Sequence, residues 1–221
     1  MLPGLEKTPF SKWAALSIFL IALGVYGSLS GVLPLSWIWF AVGGGGAIWC
    51  QFNFETLKCS LARMKPGSWK FIILALILSY VTTTIAMIFG QFVLGIHFTA
   101  NANGNFSGPM LGRIISLLKI TFSLVGEELI TAAVAFPLYH LASKKLPAQW
   151  AWIVASVVSS LLFGLMHFKI YHGNLYQCLV VIGLTRLPFN YAWRKADSLW
   201  AGIIAHIIYD WIIFVPAMLT G

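Results

Sequence analysis

The sequence predicts an all-α protein, a polytopic transmembrane bundle of about seven spans. Three observations carry this reading. Of 221 residues, 59% are hydrophobic and 9% are charged, with a mean hydropathy of +0.86. A water-soluble domain carries about 25% charged residues, so this chain has too few to cover a surface facing water. The apolar residues also fall in long runs, and the basic residues gather in alternate connections between those runs.

The first span is expected over 13–29 and is closed by the turn Ser30-Gly31-Val32-Leu33-Pro34. The second covers 35–54 and contains Gly43-Gly44-Gly45-Gly46. Each glycine destabilises a helix by roughly 1 kcal/mol relative to alanine, so the run marks close helix packing or a local break. No Gly-Lys-Ser/Thr follows, which excludes a phosphate loop. Pro66-Gly67 turns the chain into a third span, 69–96, and a polar loop from His97 to Pro109 follows. The remaining spans are expected at 110–141, 148–168, 175–193 and 199–219. All form one integral membrane domain, with residues 1–110 giving the N-terminal spans and 111–221 the spans that hold the polar motifs. The first apolar run is long, with no small-residue cleavage site after it, so no cleavable signal is expected. Cys50, Cys59 and Cys178 are odd in number and lack CxxC spacing, which fits neither a disulfide framework nor a structural zinc site.

A formal net charge of +8 invites a nucleic-acid reading, but the distribution argues against it. Ten of the 14 basic residues are Lys7, Lys12, those at 58, 63, 65 and 70, Lys144, Lys145, Arg194 and Lys195. All lie on one side of a seven-span arrangement, with Lys169 alone in the opposite connections. The positive-inside rule then places the N-terminus in the cytoplasm and the C-terminus outside. The expected location is the plasma membrane, bacterial on the hint of small size and short loops, with the lipid bilayer as partner and no nucleic acid.

Only six acids occur, and two are adjacent inside an apolar run: Glu127 and Glu128. Ionisable residues at membrane depth are costly and by default functional. Two further clusters share that setting. Phe163 and His167 lie four residues apart, as do His206 and Asp210, so each pair shares a helix face. Three helices can thus present Glu127 or Glu128, His167, and the His206/Asp210 pair to one interior cavity. His97, His140 and His172 read as packing residues. A carboxylate with a histidine can activate water for attack on a carbonyl, and a second histidine can stabilise the oxyanion. The same residues could instead hold a divalent metal, usually zinc, with one position open for water. Arg113, Lys119 and Arg186 offer a competing role for the acids, as partners in structural ion pairs. Depth poses a difficulty. His206 falls about 12 Å from the inner face at 1.5 Å per residue, whereas His167 ends its span near the outer face.

In this order the clusters resemble the CPBP family, the CAAX protease and bacteriocin-processing (Abi) intramembrane peptidases. Its pattern is Glu-Glu-x-x-x-Arg, then Phe-x-x-x-His, then His-x-x-x-Asn/Asp. Here these are similar to Glu127-Glu128, Phe163 to His167, and His206 to Asp210, with Ser198-Leu199-Trp200-Ala201-Gly202 as the lead-in to the last. The resemblance covers about 124–211. It implies a peptidase acting on a membrane-associated peptide or protein, in settings such as pheromone maturation, bacteriocin processing or immunity. It further implies Glu127 as base, Glu128 as its orienting neighbour, His167 as partner, and His206 with Asp210 at the oxyanion. A metal, if present, would sit on Glu127, His167 and His206, with zinc the candidate. The family's arginine falls at Ala132 here, and Arg186 is a candidate substitute. Two alternatives follow: an inactive scaffold or immunity protein that binds a membrane partner, and a proton-coupled transporter in which the acids relay protons.

Overall fold

The computed structural model describes Leu5, residues 7–101 and residues 106–220. It is all-helical, with no strand among the described residues. The helices are α1 (Leu16–Leu29), α2 (Ser36–Gln51), α3 (Phe54–Ser60), α4 (Trp69–Phe92), α5 (Met110–Ala142), α6 (Ala148–Met166), α7 (Leu187–Ala196) and α8 (Trp200–Thr220). Three of them, α4, α6 and α8, are long and apolar enough to cross a membrane, and α1 is apolar but shorter.

Two boundaries differ from the sequence expectation for a local reason. The run expected over 35–54 stops at Gln51, because the Asn53 side chain accepts a hydrogen bond from Thr56 N at 2.7 Å and starts the separate α3. Asparagine at an N-cap satisfies a donor that the first turn cannot. The run expected over 175–193 is likewise not one helix. Residues Gln177–Gly183 wind as a π-helix, and α7 starts afresh after Arg186 with Pro188 in its first turn. Proline is tolerated there because first-turn N–H groups have no intrahelical partner. Across the π segment, Gly164 of α6 lies so near Cys178 O that an added Cβ would come to 2.1 Å.

The core forms where α5 packs against α2, and here the glycine run keeps the helix whole and brings backbones together. A Cβ on Gly44 would meet Ile130 N at 2.5 Å, and one on Gly126 would meet Ala41 N at 2.5 Å. Pro137, inside α5, cannot donate to the carbonyl of Ala133; Gln51 Nε2 of α2 donates to that oxygen instead, at 2.7 Å. His140 packs against Phe10 and Phe52, with Nδ1 3.2 Å from Leu5 O. The His97 carbonyl accepts a bond from Asn174, and His172 adopts φ +51° in the turn after α6.

The depth difficulty disappears because the helices are staggered. His206 of α8 bonds Glu128 of α5, fixing their relative level. Beyond that level α5 continues about 21 Å to its end, whereas α8 begins only about 9 Å before it. The α5–α6 hairpin therefore reaches roughly 12 Å further at the basic end. The returning α6 ends level with α8's polar residues, with the rings of Phe163 and His206 6.0 Å apart.

Candidate active site

Successive helix residues point about 100° apart, and the neighbouring glutamates of α5 enter different surroundings. Glu128 is fully buried against α7 and α8. Its Oε1 accepts bonds from Arg186 Nη1 at 2.6 Å and His206 Nδ1 at 2.8 Å, and its Oε2 accepts one from Trp193 Nε1 at 2.9 Å. The Arg186 guanidinium lies 4.3 Å from the Phe163 ring centroid and 5.3 Å from that of Trp193. A buried charge is tolerated when it is paired and hydrogen-bonded, and Glu128 meets both conditions. Gly202 makes the approach of α8 feasible. A Cβ there would lie 2.0 Å from Trp193 Nε1 and 2.8 Å from Glu128 Oε2.

Ala132, one turn along α5, is also completely buried. The counter-charge that the resemblance would place there comes from Arg186, across the bundle. The two readings of Arg186 thus coincide, since it is a structural ion pair and it fixes the second glutamate.

Glu127 faces the other way, into a cavity of about 400 Å³ that is also lined by His167, His206 and Asp210. Glu128 does not line it. Among the described residues no side chain hydrogen-bonds the Glu127 carboxylate; Thr131 bonds only its main-chain carbonyl. His167 Nδ1 lies 3.0 Å from Phe163 O. A carbonyl can only accept, so Nδ1 carries the hydrogen, and Nε2 of the neutral ring keeps its lone pair. The same argument assigns the Nδ1 hydrogen of His206, which is directed at a carboxylate. Its Nε2 is 3.9 Å from Asp210 Oδ2, within ion-pair range but beyond a hydrogen bond.

Sequence reasoning missed several participants. Trp193 had a usable signal, because a buried indole N–H needs an acceptor. Thr83, Thr185 and Tyr209 form a hydroxyl chain on the cavity wall, with Thr83 Oγ1 2.6 Å from Thr185 Oγ1 and 2.8 Å from Tyr209 OH. They come from α4, the π–α7 junction and α8, and no sequence spacing connects them. Arg113 donates to Gly108 O and Met218 O, and among the described residues it forms no ion pair with the acids.

A zinc ion was the candidate cofactor. Among the described residues, no three His, Cys, Asp or Glu side chains group as ligands for a metal. The Nδ1 hydrogens of His167 and His206 go to protein acceptors, which is also how a histidine that binds a metal through Nε2 is usually held. No step below passes through a metal.

Residues 109–212 match a family model described as type II CAAX prenyl endopeptidase Rce1-like. No curated protein and no solved structure matches the chain. The match is just under half of the chain, and it contains all five candidate residues together with Arg186 and Trp193. Through that stretch this chain, an integral membrane protein, is similar to the Rce1-like family of type II CAAX prenyl endopeptidases, which is the CPBP/Abi family.

Proposed function

We propose that the chain is an intramembrane endopeptidase, acting as one membrane domain of about seven spans to hydrolyse a peptide bond with water activated by Glu127 and His167. The observation that supports this most is the separation of roles on α5. Glu128 is engaged by three donors, while Glu127 faces the cavity beside His167, His206 and Asp210.

Water held between the Glu127 carboxylate and His167 Nε2 gives a proton to Glu127 as its oxygen attacks the peptide carbonyl carbon. The carbonyl π electrons move to oxygen, and His206, protonated on Nε2 and flanked by Asp210, donates to that oxyanion. The proton then passes to the peptide nitrogen, the C–N bond breaks, and a carboxylic acid and an amine leave, the acid giving its remaining proton to water as it departs. Glu128 reacts with nothing; through Nδ1 it holds the His206 ring so that Nε2 faces the cavity.

Glu127→Gln removes the base and nearly preserves shape. Turnover should fall by about 10²–10⁴-fold, the usual contribution of a positioned acid–base group, while helix content and membrane insertion stay unchanged. The measurement is comparative peptidomics of membranes and medium from cells carrying each form. Unchanged processing would leave an inert scaffold as the better description.

A further inference from the structure

We infer that the cavity opens on the side of the membrane away from the basic connections, so that its substrate is an extracytoplasmic segment of an exported peptide or membrane protein. This rests on the peptidase reading of the same cavity and adds the side from which the substrate comes.

The position of the mouth follows from which helix ends line the cavity. Ser28 is at the end of α1, Ser36 at the start of α2, Asn101 in the connection after α4, and Tyr171 in the turn after α6. All four belong to one end of the bundle. Toward the other end the cavity has a floor. Beyond Arg186 and His206 lie Trp193, Leu199 and Ile203, none with exposed surface. Outside them the chain ties itself shut, with Leu199 N donating to Ser60 O at 2.8 Å and Ser198 Oγ to Ala62 O at 2.6 Å. Staggering of the α5–α6 hairpin toward this floor is what leaves space above the end of α6.

The charges identify the two ends. The connections around the floor hold the residues at 58, 63, 65 and 70 together with Arg194 and Lys195, all basic. The connections around the mouth hold Lys169, with Arg113 one turn into α5. Lysine and arginine are retained on the cytoplasmic side of short connections, so the floor is cytoplasmic and the mouth is not. Serine and asparagine at the rim suit water and a peptide backbone.

Accessible cysteines test this directly. In a background with Cys50→Ser and Cys59→Ser, keeping the fully buried Cys178, one variant carries Ser36→Cys at the mouth and another Lys195→Cys at the floor end. Both positions are exposed. A membrane-impermeant maleimide should label Ser36→Cys in intact cells and Lys195→Cys only after permeabilisation. A bulky impermeant maleimide on Ser36→Cys should also abolish processing in intact cells. The inference is overturned by the reverse labelling pattern, which would return the site to cytoplasmic, prenylated substrates. It is equally overturned if Ser36→Cys stays unlabelled in permeabilised cells, or if blocking it leaves processing intact. Labelling does not depend on catalysis. Repeating it with Glu127→Gln separates the two failures: active Glu127→Gln with the expected labelling sinks the peptidase reading and spares the sidedness.

Discussion

The two faces of α5 handle the same functional group in opposite ways. On the α7–α8 face the Glu128 carboxylate gives both oxygens to three donors and loses all contact with the cavity. On the cavity face, Glu127 keeps its oxygens for whatever enters. A carboxylate that is fully satisfied has no lone pair oriented toward a reactant, so the satisfied one is suited to hold and the unsatisfied one to react. Adjacency in sequence therefore provides two environments on one rigid rod, separated by a single helical step.

The largest test of this contrast is Arg186→Met. It strands a buried carboxylate, and breaking a buried pair costs about 3–5 kcal/mol, read as a lower unfolding temperature in detergent. Adding Glu128→Gln removes the stranded charge and should recover much of the loss. No recovery would mean that the guanidinium serves something other than Glu128. Glu127→Gln, on the other face, should not lower the unfolding temperature at all.

A smaller effect is expected from Trp193→Phe, which keeps an aromatic ring, though a smaller one, and deletes the donor to Oε2. An unsatisfied buried acceptor costs about 1–3 kcal/mol. Because Oε1 still holds His206, activity should survive better than stability, and the ratio of the two losses measures how far Oε2 matters to the ring.

The smallest is Asp197→Asn, at the end of α7, where one partner is the exposed Lys65. Partial burial raises the Asp197 carboxyl, but cationic neighbours, the Lys65 ammonium first among them, outweigh it and hold the group below its ordinary range. A carboxyl lowered in the folded state stabilises above its unfolded pKa and loses that contribution as pH falls through the folded one. The substitution should therefore cost about 0.2–1 kcal/mol near neutrality and nothing in strong acid. Chemical denaturation at the two pH values measures the difference, and sets an exposed pair against the buried one.

What could be read from sequence follows from which forces act locally. The starts of α4, α6 and α8 were visible because the change from charged connection to apolar run is a property of a few neighbouring residues, whereas the uncharged stretch after α4 hid its end at Phe92, expected at 96. The break in the sixth run was visible only as Arg186-Leu187-Pro188. Its π winding was not, because it depends on Gly164 admitting the Cys178 carbonyl from another helix. The acids and histidines stood out since ionisable groups are rare at such depth. Which glutamate would be withdrawn came only from the resemblance and was hidden in the residues themselves, because it is decided by Arg186, Trp193 and His206, whose approach depends on the absent side chain of Gly202. The stagger that brings His167 level with His206 was equally hidden, being a relation between helix pairs.

Synthesis order gives the Glu128 cluster a further meaning. Its donors lie 58, 65 and 78 residues further along the chain. When α5 leaves the ribosome, its inner carboxylate has no cation to meet, and lipid cannot supply one. The full set of partners is complete only with the last helix, and a chain cut short before Arg186 leaves an unanswered acid that membrane quality control can recognise.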